Sequence, residues 1–94
     1  MIYELEFDPR ALQEWHKLGD TVKKQFKSKL AVVLENPRIE SSRLRDLPNC
    51  YKIKLKASGY RLVYQVRDEV VIVYVVAVGK REKLAVYRKA NKRL

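Results

Sequence analysis

A chain of 94 residues with a formal net charge of +10 makes one domain with a single modest core, too small to hold separate catalytic and binding modules. Its one cysteine, Cys50, and one histidine, His16, exclude an internal disulfide and leave a soft-metal site without enough ligands. An acidic start, MIYELEFDPR, and a longest apolar run, Val70 to Val78, that is too short to span a bilayer point away from secretion and membranes, so a cytoplasmic protein working without metal or cofactor is expected.

Ile2 to Phe7 alternates, with Tyr3, Leu5 and Phe7 on one face and Ile2, Glu4 and Glu6 on the other, and reads as a half-buried strand. Asp8-Pro9 then starts a helix: the aspartate side chain accepts backbone N–H bonds, and proline suits the first helical position. Ala11, Leu12, Trp15 and Leu18 form its buried stripe and Gly19 ends it. A second helix follows, with Asp20 as expected cap, Val22, Phe26, Leu30, Val33 and Leu34 as apolar face, and Asn36-Pro37 as stop.

Arg38 to Asn49 has no periodicity and reads as a connecting loop. Three strands are predicted next, Tyr51 to Lys56, Arg61 to Arg67 and Val70 to Val78, with turns at Ala57-Ser58-Gly59-Tyr60 and Asp68-Glu69. A helical segment from about Glu82 to Arg93 closes the chain. The expected class is α+β: one domain over residues 1–94, in which an N-terminal strand, a helical hairpin and an antiparallel meander complete one sheet, followed by a short C-terminal helix.

The charge is segregated. Met1 to Pro48 holds nine Lys and Arg against eight Asp and Glu, whereas Asn49 to Leu94 holds twelve against three, so nearly all the excess lies in the second half. A one-residue register slip in the first hairpin would send charged side chains into the core. Pairing Lys56 with Arg61 avoids this, placing Tyr51, Ile53, Leu55, Leu62, Tyr64 and Val66 on one face and Lys52, Lys54, Lys56, Arg61, Val63 and Gln65 on the other. The second face is a cationic plate whose like charges repel unless an anion lies across them. The last strand, VVIVYVVAV, is apolar on both faces and belongs in the middle of the sheet. If the C-terminal segment covers it, Arg81 and Tyr87 reach the edge of the plate.

Such a groove suits single-stranded nucleic acid, with cations tracking phosphates and aromatic rings stacking on bases. Cleaving RNA requires deprotonation of a 2′-hydroxyl, charge stabilisation at phosphorus and protonation of the leaving 5′-oxygen. The plate has neither His nor Glu for these transfers, since His16 belongs to the helical hairpin. Lys, Arg and Tyr remain, and crowding among cations is the route by which a lysine such as Lys54 becomes a base. Taken singly, each residue has a plainer account: Lys52 and Lys56 as surface charges, Tyr87 as a helix-face anchor, Arg81 as a solubilising charge.

The segments FDPRALQEWHKLG, LENPRIESSRLRDLPNCYKIKL, SGYRLVYQV and VGKRE, with the late Tyr87, resemble the RelE toxins of the RelE/ParE superfamily over essentially the whole chain. The resemblance implies a ribosome-dependent mRNA interferase that cuts mRNA in the ribosomal A site by 2′-hydroxyl attack. It implies roles for individual residues: Lys54 as base, Lys52 as phosphate contact, Arg61 as transition-state stabiliser, Arg81 as general acid, Tyr87 as the ring that stacks on a base and orients the nucleophile, and Arg45 as an RNA-binding residue, to which the plate adds Lys56. It also implies a small antitoxin that wraps the toxin, displaces or covers its C-terminal segment and carries the complex to operator DNA, with the 70S ribosome and mRNA as further partners. Two alternatives stand beside this reading, a gyrase-directed toxin of the same superfamily and a non-catalytic RNA-binding module.

Overall fold

The computed structural model describes residues 2–80 and 85–94. Its elements run β1 (Glu4–Phe7), α1 (Pro9–His16), α2 (Asp20–Glu35), β2 (Cys50–Leu55), β3 (Tyr60–Arg67), β4 (Ile72–Lys80) and α3 (Ala85–Arg93), with single 3-10 turns at Glu40–Ser42 and Asp68–Val70. The four strands form one sheet in the order β1-β4-β3-β2, with β1 parallel to β4 and the other pairs antiparallel. The α+β class and the element order agree with the sequence reading. Among the described residues no helix is long and apolar enough to cross a membrane.

Asp8 caps α1 as expected. Its Oδ1 accepts the Arg10 N–H at 2.9 Å, the Arg10 guanidinium forks across both carboxylate oxygens at 3.1 Å, and the Tyr74 hydroxyl donates to Oδ2 at 3.3 Å. The hydrogen bond from Arg10 outweighs the burial that opposes it and holds the Asp8 carboxyl at about 2. The second cap differs from expectation: Gly19 occupies the N-cap of α2 without a side-chain bond, and Asp20 is the first helical residue. There its charge still faces the positive end of the helix dipole. Leu12, expected in the buried stripe, is 39% exposed, whereas Ala11, Trp15 and Leu18 are buried in the core.

One core cluster lies between the sheet and the helical hairpin. Trp15 sits between Phe7 and Phe26, with ring centroids 5.5 and 6.0 Å away, and Tyr51 stacks on Tyr64 at 5.6 Å. The opposite sheet face is covered by α3, whose Val86 and Ala90 are fully buried against Val63, Val76, Ala77, Cys50 and Leu47. Burying a valine side chain of this kind contributes about 2 kcal/mol.

Three local departures shape the sheet. Lys54, not Lys56, stands opposite Arg61; the shift is two residues, an even number, so every side chain keeps its predicted face. β2 ends at Leu55, leaving Lys56 in the turn, which closes through Gly59 at φ 76°. Between β3 and β4, Val63 pairs with Ala77 but Tyr64 pairs with Val75, so Val76 is an extra bulged residue. The bulge puts both Val76 and Ala77 in the cluster beneath α3. The turn before β4 is also longer than the two residues expected, running through the 3-10 turn to Val71, a β-branched residue at φ 57°, and β4 therefore starts at Ile72 rather than Val70.

Candidate nucleic-acid interface

A groove of about 700 Å³ opens between the β2-β3 hairpin, α3 and the loop before β2. Lys52, Lys54 and Arg61 form its floor, Tyr87, Arg88 and Asn91 its helical wall, and Leu44 to Leu47 the facing rim. Strand alternation sets the floor: Lys52 and Lys54 are two residues apart on β2, and cross-strand pairing brings Arg61 directly opposite Lys54. Helical periodicity sets the wall. Val86 and Ala90 lock one stripe of α3 into the sheet, which turns Tyr87 and Asn91, four apart, toward the floor.

Arg61 is the most enclosed of these cations, 7% exposed, and its Nη1 donates to the Tyr60 carbonyl at 3.0 Å. Among the described residues five cations, Arg45, Lys52, Lys54, Arg61 and Arg88, face the groove against one carboxylate, Asp46. A positive concavity with low-dielectric walls concentrates anions, and the half-buried Tyr87 offers a ring at its side. Cys50, beneath this region, is fully buried, and burial pushes its thiol up to about 11, which removes it as a nucleophile. Among the described residues no three of His, Cys, Asp and Glu gather to hold a metal.

Of the residues singled out in the sequence, Lys52, Lys54, Arg61, Tyr87 and Arg45 meet around this groove. Lys56 lies outside it, in a hollow between the end of β2 and α2. Arg81 falls outside the described residues; Lys80 before it is opposite Tyr60, the neighbour of Arg61. His16 is exposed at the end of α1 and does not line the groove.

Sequence reasoning missed Arg88 and Asn91, although the spacing of Tyr87 from the buried Val86 and Ala90 would have placed them on the same side. It also missed Glu14, for which periodicity carries no signal. This α1 carboxylate accepts the Val78 N–H at 3.1 Å, Lys89 Nζ at 2.8 Å and both Arg93 terminal nitrogens at 2.8 and 3.1 Å. Burial alone raises its pKa, but the bonds from Arg93, Lys89 and Val78 together hold it below the usual carboxylate range. Glu14 thus ties α3, and with it the wall bearing Tyr87, to α1 and the end of β4.

The same fold and much of the same sequence occur in known proteins. Residues 5–85 match the family described as the ParE toxin of the type II toxin-antitoxin system, parDE. The mRNA interferase toxin RelE of Escherichia coli (strain K12) is 63% identical over 94 residues, covering 100% of this chain and 99% of the relative. Among solved structures, a mutant of the E. coli toxin RelE in the free state superposes with a TM-score of 0.93 at 62% identity, covering 100% of this chain and 99% of that one. The intact E. coli RelBE toxin-antitoxin complex matches with a TM-score of 0.84 at 64% identity, covering 86% of this chain and 99% of that one.

Proposed function

Since the chain belongs to the RelE toxins of the RelE/ParE superfamily, we propose that it is the toxin of a toxin-antitoxin pair, an mRNA interferase whose endoribonuclease site is the cationic groove beside Tyr87. The observation that carries this reading is the convergence of Lys52, Lys54, Arg61 and Tyr87 from two strands and a helix onto one concave surface. An antitoxin is its partner, as RelB is for the E. coli toxin in the RelBE complex.

The finer mechanism gives each group the role that the family resemblance implies. Lys54, on the groove floor, takes the proton from the 2′-hydroxyl, and Lys52 holds the adjacent phosphate. Arg61 has its guanidinium oriented by the Tyr60 carbonyl, and it neutralises the charge that develops as the 2′-oxygen attacks phosphorus in line with the departing 5′-oxygen. Arg81 delivers the proton to that 5′-oxygen. Tyr87 stacks on a base and orients the nucleophile, while Arg45 on the rim and Lys56 beyond the groove bind flanking phosphates. Cleavage leaves a cyclic phosphate and a 5′-hydroxyl, so no water is consumed in this step.

Among the described residues no histidine or glutamate lines this groove, so we assign much of the acceleration to geometry. Ribosomal RNA in the A site imposes it by splaying the codon across the floor, which puts the protein at work in the cytoplasm. The complex with antitoxin binds operator DNA, with the DNA-reading motif on the antitoxin, which wraps the toxin and covers or displaces its C-terminal segment. Incubating the purified protein with a defined mRNA, with and without programmed ribosomes whose A site is empty, and mapping ends by primer extension tests the proposal. Ribosome-dependent cuts within the A-site codon, lost in Arg61→Ala and in Arg81→Ala, are expected. Intact mRNA under both conditions would sink the interferase reading and direct attention to gyrase.

A further inference from the structure

The groove does not end at β2. Two shallower hollows, of about 550 and 510 Å³, lie on the other side of this edge strand, between it and α2. Both are lined by Ser28 and Lys29 of α2, and both share Lys54 with the main groove; one adds Lys52 and Ser42, the other Lys56. Among the described residues neither hollow is lined by an aspartate or a glutamate. Basic surface therefore wraps continuously from the α3 side of the sheet, over the β2 edge, to the α2 side.

Resting on the reading of the groove as an RNA site, we propose that the bound mRNA strand continues over the β2 edge onto α2, where Lys29, Ser28 and Lys56 hold the phosphates that flank the codon. Continuity carries the step, because the lysines of the floor are the same residues that open the second surface. Charge supports it: Lys56 after the end of β2 and Lys29 of α2 line one hollow and repel each other unless an anion lies between them. Lysines on an edge strand also deter strand addition, but that role asks nothing of Lys29 and Ser28 on the helix opposite. An added peptide strand fits less well than RNA. The first part of the edge is already occupied, with Arg43 bridging Tyr51 and the Leu44 N–H bonded to the Cys50 carbonyl at 2.9 Å.

The test compares uncleavable 2′-O-methyl RNAs, a trinucleotide and a dodecanucleotide, by fluorescence anisotropy at several salt concentrations. Lys29→Glu is set against Lys24→Glu, which makes the same charge change on an exposed position of the same helix that lines neither hollow. Melting curves confirm that both variants fold. Lys29→Glu is expected to weaken the dodecanucleotide several-fold, to leave the trinucleotide unchanged, and to flatten the salt dependence by about 0.7 in slope for each phosphate that the variant no longer neutralises; Lys24→Glu should do little to either RNA. Equal weakening in the two variants would reduce the effect to net charge and overturn the proposal. So would an unchanged dodecanucleotide affinity combined with weakened binding of Lys29→Glu to ribosomes or to the antitoxin, which would assign the surface to ribosomal RNA or protein. Failure of the groove reading has a separate signature: neither RNA would respond to Tyr87→Ala, whatever happens at Lys29.

Discussion

Asp8 is 4% exposed and serves at once as helix cap, as partner of Arg10 and as acceptor for the β4 residue Tyr74. Replacing it with alanine removes all three roles, and a loss of about 1–2 kcal/mol is expected from the cap alone, read as a lower midpoint in urea unfolding. Its pH signature follows from the depressed pKa. The carboxyl titrates near its ordinary 3.8 when unfolded and at about 2 in the fold, so its contribution is complete above pH 4 and drains away as pH falls toward 2. Asp8→Asn should therefore flatten the acid limb of the stability profile between those values. Val71 presents the opposite case. A β-branched residue at φ 57° costs about 1–2 kcal/mol in backbone strain, and Val71→Gly is expected to raise the melting temperature if that strain exceeds what the half-buried side chain contributes by packing.

At the scale of elements, α3 is held by two unlike devices. Val86 and Ala90 bury an apolar stripe, while Lys89 and Arg93 meet Glu14 across the end of β4. Arg93, whose side chain is 10% exposed, also donates to the Val76 carbonyl at 2.9 Å. Glu14→Ala leaves that guanidinium short of its carboxylate, and a loss of about 1–3 kcal/mol is expected. Hydrogen exchange locates the effect: amides of 85–93 should exchange faster in this variant while those of β3 and β4 hold, and uniform protection across both regions would count against the clamp. Because the folded Glu14 carboxyl lies below its ordinary value of 4.5, the clamp is intact above that pH and weakens as acid titrates it in the fold. Much of this element was legible in advance. The doubly apolar β4 demanded a cover, and α3 is the cover; its attachment to Glu14 was not legible, since a carboxylate on an amphipathic helix normally faces water.

Across the whole molecule, the near-neutral first half builds the support and one rim of the groove, and the basic second half carries its floor and helical wall. α1 and α2 pack one sheet face, leaving the other for α3 and the groove. The chain's own residues determined the class, the order of elements, the faces of the β2-β3 hairpin and the gathering of Lys52, Lys54 and Arg61, because alternation and burial are local rules that a sequence states directly. They also carried the family resemblance that placed Tyr87 beside these cations. Tertiary structure alone decided the rest. Pairing Lys54 rather than Lys56 with Arg61 changes no side chain's face, so burial could not choose between the two registers. The Val76 bulge places two successive residues beneath α3, and nothing within β4 announces it. Lys29 comes near Lys54 only because α2 packs along the edge of the sheet, a long-range proximity between residues whose local patterns are those of any solvated helix and any half-buried strand.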